Sequence, residues 1–144
     1  MNVRKGFTLI ELMLAIALMA IVVGFAAPLL LSYQRSSILA TDIYKAQESI
    51  RRAQTLASNS QEDSNWGAYV TNNDITVYKG NNYGARDVNF DETVSLSNIT
   101  LVSGTIEFNF DVFSGETLDT GTLTFSVDNK TKGINVNEKG LVAQ

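Results

Sequence analysis

The sequence has no cysteine and no histidine in 144 residues. Without cysteine there is no disulfide to staple the fold and no thiol nucleophile. Without histidine the commonest general base and zinc ligand is missing. No glycine loop runs into Lys-Ser or Lys-Thr, so there is no cradle for nucleotide phosphates. No catalytic constellation is visible, so the chain is expected not to be an enzyme and to carry no cofactor and no metal. Charge is scarce over one long stretch. Glu11 is the only charged residue between Gly6 and Arg35.

What stands in that stretch is apolar. Leu12 to Leu31 is twenty residues without a charge, about enough to span the hydrocarbon core of a bilayer. A carboxylate within such a segment costs about 2.5–3.5 kcal/mol on insertion scales, so Glu11 is a functional candidate by default. Three readings compete: a membrane anchor with a stray acid, a secretory signal peptide, and a type III signal cut before the apolar run. For the second, Arg4 and Lys5 make the basic region and Gly24-Phe25-Ala26 a small-x-small cleavage site. Glu11 argues against it, since the apolar core of a signal peptide has no use for an acid. It also leaves Gly6 directly before Phe7 without a reason.

The string Lys5-Gly6-Phe7-Thr8-Leu9-Ile10-Glu11-Leu12 resembles the N-terminus of type IV pilins and of the pseudopilins of type II secretion. The resemblance covers about Arg4–Leu31 and implies a sequence of events. A prepilin peptidase cuts between Gly6 and Phe7 on the cytoplasmic side, and the new amino group of Phe7 is N-methylated. The leader, residues 1–6, is lost with Arg4 and Lys5, which hold the N-terminus inside by the positive-inside rule. Glycine suits the cut because a residue without a side chain lets a protease approach the backbone closely. Glu11 lies four residues after Phe7, about one helical turn. The resemblance gives it the role of meeting the charged N-terminus of a neighbouring subunit, which neutralises two charges in an apolar filament core. Many major pilins carry a C-terminal disulfide loop, and this cysteine-free chain departs from that subgroup.

Pro28 lies inside the apolar run and is expected to kink the helix, because proline removes a backbone hydrogen bond and crowds the preceding turn. Beyond it Leu39, Ile43, Ala46, Ile50, Ala53 and Ala57 step by four and three, one apolar stripe on a continuing amphipathic helix. Asp42, Lys45, Ser49 and Arg52 fall off the stripe. A helix from Thr8 to about Ala57 is about 75 Å long. Three alanines are small for a coiled-coil seam, so the stripe is expected to pack on a head domain.

The polar stretch Asn59–Asn65 ends the helical period, and alternation follows. Ile75 and Val77, Ile106 to Val112, Leu123 to Val127, and Ile134 to Val136 each place apolar residues at every second position, the mark of half-buried strands. Trp66–Val70, Val94–Leu96 and Ile99–Val102 are weaker strands. Thr71–Asp74 and Asp128–Lys130 are turn chemistry, and Lys79–Asp87 reads as an irregular loop. The expected fold is α+β: a long N-terminal helix, half transmembrane and half amphipathic, packed on an antiparallel β-sheet head. The expected organisation is leader 1–6, transmembrane and assembly helix 7–31, amphipathic helix 32–58 and head 59–144. These carry charges of +2 for the leader, +1 for 7–58 and −7 for the head. The head is therefore expected to be soluble and self-repelling, and bulk electrostatics do not favour nucleic acid.

A looser resemblance covers about Trp66–Val142. Ile106-Glu107-Phe108, a glycine-containing turn around Gly115–Gly121, Leu123–Val127, Gly133–Asn137 and Gly140-Leu141-Val142 are similar to the C-terminal half of GspH/FimT-type minor pilins. That family often has an arginine after the last glycine, where this chain has Leu141. Lys130, Lys132 and Lys139 could form a basic patch on DNA phosphates, though lysines also protect strand edges. Asp87, Asp91, Glu92, Asp111 and Asp119 offer oxygen ligands without EF-hand spacing. Asn98-Ile99-Thr100 and Asn129-Lys130-Thr131 are glycosylation sequons.

The resemblances together imply a minor pilin or pseudopilin, fimbrial or secretory. It is anchored by a single pass in the inner membrane with its head in the periplasm or outside, and then drawn into a filament. The implied partners are the prepilin peptidase, other pilin or pseudopilin subunits and the inner-membrane assembly platform. The alternatives are a competence-type minor pilin whose head grips DNA through Lys130 and Lys132, and an anchored surface domain that never assembles.

Overall fold

The structure is a computed structural model that describes residues 6–117 and 119–143, without the side chain of Ala27. The protein is one long helix packed on antiparallel sheets. Among the described residues helix α1 (Leu9–Ser58) is followed by eight strands: β1 (Trp66–Val70), β2 (Asp74–Lys79), β3 (Asp87–Ser95), β4 (Leu101–Gly104), β5 (Glu107–Phe110), β6 (Gly121–Val127), β7 (Lys130–Val136) and β8 (Val142–Ala143). The chain divides into two compact units, Met1–Arg35 and Ser36–Gln144.

The first unit holds the apolar part of α1. Pro28 sits inside the helix, which continues on both sides of it. From Leu9 to Leu31 every described residue is exposed. In the second unit the rest of α1 lies against two four-stranded sheets, ordered β3-β2-β1-β5 and β4-β6-β7-β8. All six stripe residues, Leu39, Ile43, Ala46, Ile50, Ala53 and Ala57, are buried. They meet Ala68, Val70, Ile75, Val77, Phe108 and Phe110 of the first sheet and Leu123, Phe125, Val127, Ile134 and Val136 of the second in one core. The small alanines let helix and sheet approach closely, and the phenylalanines fill the space between.

Several expectations shift at the edges. Asp42 and Ser49, placed off the stripe by their spacing, are 2% and 5% exposed and belong to the buried face. The stripe is wider than its apolar residues because buried polar groups join it once they find partners. β3 is nine residues long rather than the three of Val94–Leu96. It is an edge strand with only Phe90 packed against the core, so it lacks the alternation that betrays a half-buried strand. β5 stops at Phe110, short of Val112, because residues 112–114 turn and Phe113 takes a left-handed φ of 71°. The weak strand expected at Ile99–Val102 is β4, shifted to Leu101–Gly104. The β6–β7 hairpin closes through Asp128-Asn129, with Asp128 at φ 52°.

Candidate functional site

The leader charges Arg4 and Lys5 lie outside the described residues. The described N-terminus starts with Gly6 and Phe7, both exposed, Phe7 at 93%. A Cβ built on Gly6 meets no atom of the described residues within 4 Å, so packing against them does not require a glycine there. Thr8 is the residue before the helix, and its carbonyl accepts the first helical bond, from Leu12 N–H at 3.3 Å. The Thr8 N–H and Thr8 Oγ1–H both donate to Glu11 Oε2 at 2.9 Å, and Glu11 N–H donates to Thr8 Oγ1 at 3.3 Å. This is a capping box: the threonine satisfies the third helical N–H and the glutamate reaches back to the cap residue. The Thr8-x-x-Glu11 spacing is its sequence signature. The box gives Glu11 an intrachain role beside the one between subunits that the resemblance implies.

Behind this cap stands the exposed apolar surface. Leu9, Ile10, Met13, Met19 and Phe25 are each 65–78% exposed. A patch of this extent on a soluble protein marks a membrane or a partner.

The head binds its own segment of α1 through polar contacts that sequence spacing did not reveal. Asp42 Oδ2 accepts from Ser97 N–H at 3.1 Å and from Thr100 Oγ1–H at 2.5 Å. Lys45 Nζ donates to Ser95 O at 2.7 Å and lies 3.8 Å from Asp42 Oδ1. Together they tie the β3–β4 loop to α1. Arg52 makes a two-pronged pair with Glu92 at 3.0 and 3.2 Å, which holds the guanidinium pKa above its ordinary value. At the C-terminal end of α1 Gln54 Nε2 donates to Gly115 O at 3.1 Å and Lys139 O at 2.8 Å. One glutamine thus joins two loops.

The outer face of the first sheet carries an aromatic cluster. The rings of Tyr69 and Tyr83 stack at 4.0 Å, Tyr78 meets Tyr83 edge-on at 5.7 Å, and Arg86 lies 3.8 Å from the Tyr83 ring centre. Tyr78 OH donates to Glu107 Oε1 at 2.8 Å and accepts from Asn109 Nδ2 at 3.3 Å. Burial pushes the Tyr78 phenol well above its usual range, and the Glu107 carboxylate adds to this. Gly67 makes room for the cluster, since a Cβ there falls 2.4 Å from the Tyr78 ring. A lone glycine within a strand pattern was the available signal.

The other expected sites do not assemble. Lys130 Nζ donates to Ser36 Oγ, whereas the Lys139 carbonyl is held by Gln54. Those helix positions are 18 residues apart in α1, about 27 Å along the axis, so Lys139 does not join Lys130 and Lys132 of β7 in one basic patch. The five acids are also taken up by separate partners. Asp91 pairs with Arg86 at 2.9 Å and Glu92 with Arg52. Asp87 accepts from Asn89, Asp119 from Asn109 N–H and Asp111 from Ser114. Among the described residues no three acids gather in a metal-holding group. Of the two sequons, Thr100 is buried on Asp42 and Asn129 lies exposed in the hairpin turn.

Compared with known families, residues 1–27 match the family model of the prokaryotic N-terminal methylation motif. No curated protein and no solved structure matches the chain. Gly6, Phe7 and Glu11 all fall inside the matched span, and the chain carries this methylation motif ahead of a fold of one long helix on antiparallel sheets.

Proposed function

We propose that the protein is a structural subunit, a minor pilin or pseudopilin, of a type IV pilus or a type II secretion pseudopilus. One observation carries the reading: the methylation motif over residues 1–27 runs directly into a helical surface, Leu9–Leu31, whose described residues are all exposed. Such a surface needs an apolar surrounding twice, first the bilayer and then the packed helices of a filament.

The steps follow from the residues. Gly6 presents a backbone without a side chain, and no described residue crowds the place a Cβ would take there. A prepilin peptidase cuts the Gly6–Phe7 bond and the Phe7 amine is methylated. Thr8 then fixes the start of the helix, with the Glu11 carboxylate beside it. Both capping bonds use Oε2, and on assembly the carboxylate forms a charge pair with the amine of an adjacent subunit. Charge neutralisation on assembly favours packing, since an unpaired charge in an apolar core is expensive. The head contributes surface rather than chemistry, in keeping with a chain that lacks histidine and cysteine.

Intact-mass and N-terminal peptide mass spectrometry of the protein from its host tests this. The expected product begins at N-methylated Phe7. A chain that keeps Met1, or one that begins near Ala27, removes the reading.

A further inference from the structure

Five non-glycine residues among those described adopt left-handed φ: Ser60, Glu62, Asp63, Phe113 and Asp128. Four of them meet at the C-terminal end of α1. Ser60, Glu62 and Asp63 follow the helix directly, and the Phe113 N–H donates to Ala57 O at 3.2 Å. Phe113 is the unusual one. A bulky side chain at φ 71° is a true outlier, because its Cβ crowds the backbone. The residue is also 73% exposed, the most exposed aromatic among residues 36–143. Backbone sterics and water both oppose a phenylalanine at this position. The bond to Ala57 uses only the main chain, which glycine supplies equally well and with less strain.

The turn holds the Phe113 backbone in place. Gly115 N–H donates to Asp111 O and Asp111 N–H to Glu116 O, each at 2.9 Å, and Gln54 fixes Gly115 O. A large aromatic presented on a fixed backbone has the properties of an interface anchor, with the ordering cost of the turn already met before binding. Its surroundings set the sign of the partner. Asp111 and Ser114, on either side of the ring in sequence, line a groove of about 530 Å³. Its described walls include Glu116, Asp119 and Glu138 but no lysine or arginine. The same pole of a second copy would bring like charges together, and nucleic acid would be repelled.

We propose that Phe113 is the anchor of a docking surface for another protein, which takes the ring into an apolar pocket rimmed by lysine or arginine. The proposal does not depend on the filament reading, because it concerns only the end of the head. Two measurements on the full chain test it. In detergent, Phe113→Gly should raise the melting temperature by a few degrees, since it relieves the left-handed strain and removes no buried contact. A fall shows that the ring serves the fold and overturns the proposal. In cells, Phe113→p-benzoylphenylalanine should photo-crosslink to another protein, through a peptide of net positive charge. Adding Glu116→Lys and Glu138→Lys should cut the yield about tenfold. Linkage to a second copy of this chain, linkage to an acidic or neutral peptide, no product above that of the exposed position Thr122, or a yield indifferent to the lysines each overturns it.

Discussion

Glu11 carries two roles at one position, and substitutions can separate them. As the third residue of the helix it closes a capping box with Thr8; as a charge in an apolar segment it invites a partner. Thr8→Ala removes the cap and keeps the charge, at a cost of about 1 kcal/mol to the helix start. Glu11→Gln keeps much of the box, as glutamine also serves there, and removes the charge. Glu11→Ala loses both. If assembly depends on the charge, Glu11→Gln and Glu11→Ala lose incorporation into sheared filaments while cleavage at Gly6 proceeds, and Thr8→Ala assembles. Immunoblots of the sheared and membrane fractions read this directly. Normal assembly of Glu11→Gln would leave capping as the residue's whole task. The box itself was legible in Thr8-x-x-Glu11, whereas the bilayer cost marks the carboxylate only as functional, and the intersubunit partner comes from the resemblance alone. Gly6 is the reverse case: its structure adds only that no described residue packs where a Cβ would stand.

At the scale of elements, legibility followed periodicity. The stripe from Leu39 to Ala57 and the alternating strands β2, β6 and β7 bury the residues that their spacing marks. β3 escaped because an edge strand needs no alternation, and Asp42 escaped because spacing cannot tell a solvated acid from one with buried partners. That acid decides how the β3–β4 loop is held. Asp42→Ala strips the Ser97 N–H and the Thr100 hydroxyl of their acceptor. Leaving buried donors without partners costs about 1–3 kcal/mol, so the variant is expected to melt several degrees lower. The effect should also be local. Hydrogen exchange at Ser97 should accelerate far more than in β6 or β7, whose amides pair with each other. A uniform loss of protection would mean that Asp42 holds the whole core rather than this loop. Thr100→Ser retains the hydroxyl and is expected to keep most of the stability.

At the scale of the molecule, charge separates by segment: +1 over residues 7–58 against −7 over 59–144. That asymmetry was fully readable, and it favours a head that repels its neighbours except where specific contacts are built. The pH dependence of stability was not readable, because it rests on a tyrosine whose burial only the fold creates. Tyr78 has no exposed surface, and its phenol is pushed up first by burial and then by Glu107. An unfolded tyrosine releases its proton near pH 10, while the folded one still holds it. Above that pH the unfolded state binds fewer protons than the folded state, so stability falls as pH rises. The contribution is complete below about pH 10 and drains away through the alkaline range. Tyr78→Phe is therefore expected to be less stable at neutral pH by about 1 kcal/mol, for the lost hydrogen bond, and to lose stability less steeply above pH 10. The two melting curves, recorded from pH 7 to 11 in one detergent, should converge as the pH rises. Parallel curves would show that Tyr78 ionises in the folded head as it does in the unfolded chain, and that the Glu107 contact does not hold the phenol proton in place.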